Sequence, residues 1–179
     1  MQTWKKITAI LLVLAAVLAL CSCRKNGDIP DGMKLVESDF VNYKLYIPEN
    51  WVADLTVGTV TARANDNSNI SVQTMTPSGN FESVDNYFRT DYYPKVQSTF
   101  KNTVLIEDEC STENQKFSTR GIACCKYVYT VESDGATYKI LQYFTGYGGY
   151  LYIFTYTAQE ALFAKHLEEV SDMVQNFTF

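Results

Sequence analysis

Two dipeptides, Asp134-Gly135 and Gly148-Gly149, constrain the fold of this chain more than any other feature. Each lies between stretches rich in β-branched and aromatic residues. Each also supplies two adjacent positions that tolerate positive φ, which the two-residue turns of β-hairpins require. We therefore expect residues 121–157 to form a long antiparallel meander.

Tight turns at both places would also fix the register of the strands, because pairing then follows by counting outward from each turn. The predicted pairs are Val131 with Tyr138, Tyr129 with Ile140, Phe144 with Ile153, and Tyr143 with Phe154.

Alternation along these strands gives the meander two faces. One face is almost continuously apolar and is expected to lie under a helix; it contains Cys125, Tyr127, Tyr129, Val131, Tyr138, Ile140, Phe144, Leu151 and Ile153. The other is apolar at its centre, with lysines and tyrosine hydroxyls around it; it contains Cys124, Lys126, Val128, Lys139, Leu141, Tyr143, Tyr152, Phe154 and Tyr156. Both faces are too apolar to stand fully in water, so we expect at least partial cover on both sides.

Periodicity elsewhere predicts further elements around the meander. Strands are expected at 40–47, 58–64, 70–76 and 103–109, with a turn at 65–69 and a polar loop at 110–119. Ser83 is a suitable N-cap for a helix that Pro94 should end or kink. Thr157 and Glu160 form a capping box, followed by an apolar stripe at Phe163, Leu167, Val170 and Val174. Trp51 is expected to close one end of the core.

The amino-terminal stretch has the layout of a secretory signal: Lys5 and Lys6, an apolar run at 7–20, and a small residue, Ser22, directly before Cys23. It resembles a bacterial lipoprotein signal, with Leu20 at the position three residues before the cysteine. A transmembrane helix would need about 20 apolar residues, and cleavage before Cys21 would place bulky Leu20 at the last signal position. The resemblance implies cleavage before Cys23 and a lipid on its sulfur.

This reading divides the chain into a signal at 1–22, a lipid-anchored tether at 23–37 and one domain at 38–179. The protein would be extracytoplasmic and held at the bacterial cell membrane by its lipid. Of the 15 Lys and Arg residues, Lys5 and Lys6 leave with the signal, while all 20 acidic residues stay. Such a balance opposes nucleic-acid binding, which depends on neutralising phosphates.

Three cysteines remain for other chemistry once Cys21 is removed and Cys23 is lipidated. An odd number permits one bridge at most, between Cys110 and either Cys124 or Cys125, or none if all three are small buried residues. Cys124 and Cys125 point to opposite faces of a strand, so they should not pair with each other. The spacing lacks the C-x-x-C of zinc and redox sites.

Residues 38–179 resemble the PsbP-like family in layout and in two short motifs. The motifs are Tyr46-Ile47-Pro48-Glu49-Asn50-Trp51, after a strand, and Tyr152-Ile153-Phe154-Thr155-Tyr156-Thr157-Ala158, leading into the last helix. The resemblance implies an α+β fold, with an antiparallel β-sheet flanked by helices in an α/β/α sandwich. It also implies a domain that binds or assembles other proteins without catalysis and needs no cofactor.

His166 is the only histidine, so imidazole-based catalysis would have to use it. It lies beside the apolar stripe of the last helix with Glu169 one turn on, which favours a structural role. A hydrolase that uses His166 is therefore the weakest hypothesis. No metal site is expected.

The tyrosine-rich face is the best candidate for binding, because tyrosine gives a large contact area with a polar tip. The candidate residues are Tyr143, Tyr152, Phe154 and Tyr156 on this face, with Tyr147 and Tyr150 at the second turn. The structural alternative is that a helix covers the face. Two functions follow: binding of a protein or small ligand through this surface, or carriage of a small ligand in a pocket between sheet and helix.

Overall fold

The computed structural model describes residues 29–36, 38–39, 41–56, 59–77 and 81–179. The predicted signal peptide and the lipid acceptor Cys23 lie outside these residues. The strands are β1 (Met33–Val36), β2 (Leu45–Pro48), β3 (Val52–Thr56), β4 (Thr59–Arg63), β5 (Asn69–Met75), β6 (Lys101–Leu105), β7 (Ser111–Phe117), β8 (Ile122–Ser133), β9 (Ala136–Tyr147) and β10 (Tyr150–Gln159). The helices are α1 (Val84–Tyr87), a π-helix (Phe88–Tyr92), α2 (Tyr93–Thr99), 3₁₀ turns at Glu107–Glu109 and Glu160–His166, and α3 (Leu167–Asn176).

Eight strands form one antiparallel sheet in the order β3-β4-β5-β10-β9-β8-β6, with β7 also paired to β8. Strands β6 and β7 share the same neighbour because β8 is long. The first pairs with its Tyr129–Glu132 part and the second with its Ile122–Lys126 part. Strands β1 and β2 form a separate two-stranded hairpin.

Both predicted turns are present, and all four predicted pairs are confirmed. The φ angles are 51° at Asp134, 76° at Gly135, 59° at Gly148 and 84° at Gly149. Positive φ at both turn residues matches the twist of the flanking strands, which is why these two turns set the register.

The predicted apolar face lies under the helical segment 84–99, as expected. Its buried residues and those of the segment form one cluster: Phe88, Tyr127, Tyr129, Val131, Ile140, Phe144, Leu151 and Ile153. The opposite face is covered by the β1–β2 hairpin and α3, whose buried residues include Leu45, Ile47, Val170, Met173 and Val174. The domain is therefore an α+β sandwich with one sheet between two covering layers.

The sequence predicted that Pro94 would end or kink the helix; the helical segment does not end there, but its geometry changes directly before Pro94. Ser83 caps its start by accepting a hydrogen bond from the Asn86 amide at 3.1 Å. The Tyr93 amide then donates to the carbonyl of Phe88, five residues earlier, which gives the wider π-turn. Pro94 lies in the first turn of α2, where its missing N–H needs no partner.

Three predicted boundaries are wrong and one strand, β3, was missed, because pairing in the tertiary structure overrides the local pattern. Strand β1 begins at Met33, inside the predicted tether, and β3 begins directly after Trp51. The predicted polar loop at 110–119 contains β7, which is held by β8. Thr157 is part of β10 and not an N-cap, since β5 extends to pair with it. A 3₁₀ turn and α3 follow instead of one capped helix.

Within the described ranges, no helix is both long and apolar enough to cross a bilayer.

Candidate binding groove beside the β9–β10 turn

Most of the predicted tyrosine-rich surface is core. Tyr152, Phe154 and Tyr156 are each at most 1% exposed, and Tyr143 is half-buried. The covering layer explains this, since Phe177 packs edge-on against Tyr152 and the Tyr156 hydroxyl donates to the Phe163 carbonyl at 3.0 Å. This corrects the prediction that these four residues form a binding surface.

The two tyrosines beside the β9–β10 turn, Tyr147 and Tyr150, are more exposed than these core residues. Tyr150 is 42% exposed, and Tyr147 is half-buried against Phe179, with ring centroids 4.4 Å apart and planes at 26°. The Arg120 guanidinium lies over the Tyr147 ring, 5.3 Å from its centroid, and donates to its hydroxyl. Cation, ring and ring therefore form one stack that leads from the turn to the C-terminal segment.

This stack borders a groove with a volume of about 360 Å³, which we call the Phe179 groove. It lies between the segment that follows β1 and the last two residues, Thr178 and Phe179. Its lining includes the apolar side chains of Val36, Val41 and Phe179 and the polar side chains of Asp39, Asn42 and Lys44. Apolar walls with a few polar groups are typical of binding clefts.

Backbone pairing holds both walls of the groove. Lys44 and Thr178 exchange two hydrogen bonds, at 2.7 and 3.1 Å, and the Thr119 amide donates to Phe177 at 2.9 Å on the other side. The C-terminal segment is therefore fixed between Lys44 and the β7–β8 connection. The buried Tyr152 also contributes, because its hydroxyl donates to Asn42 Oδ1 at 3.0 Å in the groove wall.

Two exposed cations flank the C-terminal segment, Lys44 on one side and Arg120 on the other. Within the described ranges, neither makes an ion pair with an acidic side chain. One exposed carboxylate, Asp39, is also part of the lining. The charged side chains of the described groove lining are therefore one cation, Lys44, and one carboxylate, Asp39, while Arg120 lies beyond the C-terminal segment on Tyr147.

His166 belongs to a separate buried cluster at the opposite end of the sheet. Its Nε2 lies 2.9 Å from Asp66 Oδ2, and its Nδ1 lies 2.5 Å from Glu169 Oε2. Trp51 donates to the same Glu169 oxygen at 3.3 Å. The sequence pattern indicated the contact with Glu169. Asp66 was missed, because it lies in a turn 100 residues away.

This geometry limits what His166 can do chemically. Both ring nitrogens face carboxylates, and the side chain is only 8% exposed. No nitrogen is left to activate a nucleophile or to bind a metal unless one of these contacts breaks. Hydrogen bonds from Lys165 and His166 hold the pKa of Asp66 well below its ordinary value of 3.8. Among the described residues, no cluster of histidine, cysteine and acidic side chains is suited to a metal.

The three described cysteines are free thiols, so of the two alternatives that the sequence left open, a bridge from Cys110 to Cys124 or Cys125 or no bridge, the structure has no bridge. Cys110 Sγ instead contacts backbone groups, accepting from the Val128 amide at 3.4 Å. Cys124 is buried on the face under α3, and burial raises its pKa to about 12. These thiols are positioned as packing residues.

One predicted function was carriage of a small ligand in a pocket between sheet and helix. In the structure, aromatic side chains fill the space between the helical segment 84–99 and the sheet. Phe88 and Tyr127 stack with centroids 3.5 Å apart, and Phe144 packs edge-on against both rings. Beside them, Gln142 donates to Tyr92 at 2.7 Å and accepts from Tyr129 at 3.0 Å. These contacts replace the predicted cavity with close-packed rings and paired polar groups.

Comparison with known proteins adds information on the fold. Neither a protein-family model nor a curated protein sequence matches the chain. Among solved structures, it is similar to cyanobacterial PsbP from Synechocystis, with a TM-score of 0.58 and 15% identity, over 88% of this chain and 97% of that one. It is also similar to the Ran-binding protein Mog1p of Saccharomyces cerevisiae, with a TM-score of 0.52 and 9% identity, over 80% and 84% of the two chains.

A third similar structure is a protein from Bacteroides thetaiotaomicron, with a TM-score of 0.53 and 13% identity over 82% of this chain. This chain spans about half of that protein, 48% of its length. Identities this low support a shared fold and nothing finer. The element order, the sheet and these likenesses together give this chain a PsbP-like α+β fold.

Proposed function

We propose that this chain is a lipid-anchored, extracytoplasmic accessory protein that binds another protein without catalysis. The observation on which this rests is the pairing of an exposed aromatic turn with an apolar groove, at Tyr147, Tyr150 and Phe179. Exposed aromatic side chains beside a cleft are typical of protein interfaces, where they supply most of the contact energy.

The lack of catalysis is supported by the state of His166. The only imidazole of the chain is buried and is held by two carboxylates. A histidine that acts as a general base must present a free ring nitrogen to its substrate. The membrane attachment is supported by the signal pattern that ends at Cys23.

In-cell photocrosslinking tests the contact surface. A photoreactive phenylalanine analogue at Tyr150 is expected to capture a discrete partner protein. The same analogue at Phe100 is the matched control, since Phe100 is 37% exposed but lies next to the other hairpin turn, near Asp134. Equal capture from both positions, or capture from neither, would contradict the proposal.

The anchor needs its own test. We expect mass spectrometry of the protein from its native membrane to show a diacylglyceryl group on Cys23 and no residues before it. The Cys23→Ser variant should leave the membrane fraction. An intact leader peptide would contradict the anchored form while leaving the contact surface open to the crosslinking test.

A small-ligand carrier is the second candidate, and the groove itself favours it. Its volume of about 360 Å³ lies at the lower end of the range of small-molecule sites, roughly 300–1,000 Å³. Native mass spectrometry of the protein taken from its own membrane would reveal a bound small molecule as added mass. A Val41→Trp variant, which fills the groove, should remove that mass.

A further inference from the structure

Strand β3 is the end strand of the sheet, and only one of its two sides is paired. Its neighbour is β4, and among the described residues no element pairs with its other side. Five consecutive residue pairs, from Val52 with Arg63 to Thr56 with Thr59, join β3 to β4 without a bulge. The outer side of β3 is therefore a regular strand edge.

The register shows which backbone groups of β3 point outward. The Ala64 amide donates to the Ser68 carbonyl at 2.8 Å, and this hydrogen-bonded pair continues the register of β4 with β5. Hydrogen-bonded pairs alternate along antiparallel strands, so every second residue of β4 before Ala64 turns its backbone groups towards β5. The partners of these residues in β3 are Ala53 and Leu55. The N–H and C=O groups of Ala53 and Leu55 consequently point outward, where an incoming strand can bond all four.

Exposed apolar side chains lie on both faces of this edge. Val52 is 65% exposed, more than any other large apolar side chain among the described residues. Leu55 is 45% exposed and lies on the opposite face, because side chains three residues apart in a strand point to opposite sides. An incoming strand would cover both side chains while it pairs with the backbone between them.

The opposite edge of the sheet is built differently. There β6 and β7 share β8, and the register of each strand shifts along its length. Asn102 lies between the two registers of β6 and has a φ of 47°, which interrupts regular pairing. Bulges of this kind protect an edge from adding a further strand. The described sheet therefore has one edge that is protected in this way and one, β3, that is not.

Asp54, in the middle of β3, discriminates between possible occupants of this edge. It is exposed and makes no ion pair with a described basic side chain, although Arg63 lies diagonally from it on the same face. A second copy of β3, paired over all five residues, would place the two Asp54 carboxylates directly opposite each other. Like charges at directly opposite positions are destabilising. A strand from another protein, with a basic residue at that position, avoids this repulsion.

We propose that β3 binds an extended segment of another protein, which adds to the eight-stranded sheet as a further strand. The segment pairs with the outward groups of Ala53 and Leu55, covers Val52 and Leu55 with apolar side chains, and places a basic side chain beside Asp54. In this mode of recognition the backbone hydrogen bonds supply affinity and the side chains supply specificity. The surface goes beyond the proposed function, because β4 and β5 separate β3 from β10, which begins at Tyr150.

A random peptide library displayed on phage, selected on the lipidated protein in lipid nanodiscs, tests the inference. Selected peptides should combine apolar residues with Lys or Arg. A synthetic copy of one should slow amide hydrogen exchange in the segment 52–56 and leave β6 unchanged.

Ala53→Pro removes one outward N–H and leaves the pairing with β4 intact, since proline is accepted in edge strands. It should weaken binding of the peptide about tenfold or more. Ala53→Ser keeps the N–H and is the matched control, which should bind as wild type. Asp54→Lys should also weaken binding, because it opposes the basic residue of the peptide. Circular dichroism of each variant checks folding.

The outcomes separate this inference from the proposed function. If no peptide is enriched, or if Ala53→Pro or Asp54→Lys binds as wild type, the inference is overturned. Protection around Phe179 instead of at 52–56 would also overturn it, while supporting the proposed contact surface. A dimer of Cys23→Ser protein in sedimentation that Ala53→Pro abolishes would assign the edge to a second copy. Slow exchange at 52–56 without peptide would assign it to the chain itself. Failed capture at Tyr150 contradicts only the proposed function.

Discussion

His166 Nε2 lies 2.9 Å from Asp66 Oδ2, and this contact joins the turn between β4 and β5 to the start of α3 across 100 residues of sequence. Since Nδ1 of the same ring contacts Glu169, both contacts are charge-assisted hydrogen bonds when the ring is an imidazolium. Trp51 packs edge-on against this ring. The cluster therefore closes the end of the sheet opposite the β9–β10 turn.

Loss of His166 should destabilise the domain. Asp66 keeps Lys165 and Glu169 keeps Trp51, but His166→Gln removes one hydrogen bond from each carboxylate, so we expect the free energy of unfolding to fall by about 3 kcal/mol. Urea denaturation measures this. Lys165→Met is the control; it removes the salt bridge from Asp66 to a 55% exposed lysine and should cost less than about 1 kcal/mol. Equal losses from both variants would contradict a special role for the histidine.

Asp66 should make stability depend on acidic pH. Its pKa is lower in the folded protein than its ordinary value of 3.8, because Lys165 and His166 donate to the carboxylate. The unfolded state thus binds a proton more readily, so this contribution is complete above about pH 5 and is lost as the pH falls towards the folded pKa. Urea denaturation between about pH 5 and pH 2 should show a shallower decline for Asp66→Asn than for wild type. Parallel curves would contradict this.

The three thiols should react slowly in the folded protein and should not form a bridge. Burial raises the pKa of Cys110, Cys124 and Cys125, and the thiolate is the reactive form. Protein purified without reductant should therefore show three reduced cysteines besides Cys23 by mass spectrometry. Ellman's reagent at pH 8 should react with Cys124 slowest of the three. Fast native reaction of Cys124, or a mass shift from a bridge, would contradict the described packing.

The β9–β10 turn should tolerate a side chain at one glycine and not at the other. Gly149 has a φ of 84°, where alanine is strained, so Gly149→Ala should cost about 1–2 kcal/mol. Gly146, nearby in β9, has no such φ, and an added Cβ would meet only the Tyr150 carbonyl at 4.0 Å. Gly146→Ala is therefore expected to be neutral or slightly stabilising. Thermal unfolding of both variants makes the comparison, and similar shifts would argue against the described turn.

Much of the sheet is local in origin, and those parts were predictable. A two-residue turn with positive φ positions allows few backbone shapes, so Asp134-Gly135 and Gly148-Gly149 determined the pairing of β8, β9 and β10. Alternation then separated the faces correctly. The helix that Ser83 caps could also be predicted, since a capping residue and an apolar stripe are both short-range signals.

Other elements depended on partners that sequence patterns do not reveal. The segment Ser111–Phe117 is polar and reads as a loop, yet it is a strand because β8 offers a free edge. Pro94 predicts a helix end or kink, yet the helical segment continues past it after a π-turn, and Phe88 of that turn packs on Tyr127. The energy that decides such segments comes from contacts between distant residues.

The candidate site shows the same division. The sequence by itself determined that Tyr147 and Tyr150 flank an exposed turn, because turn geometry places their neighbours in solvent. Only the tertiary structure decided that Tyr152, Phe154 and Tyr156 are core. An alternating strand has two apolar faces in sequence, and which of them meets water depends on what folds back over it. Here the β1–β2 hairpin and α3 cover the tyrosine-rich face, which leaves the groove at its edge as the accessible surface.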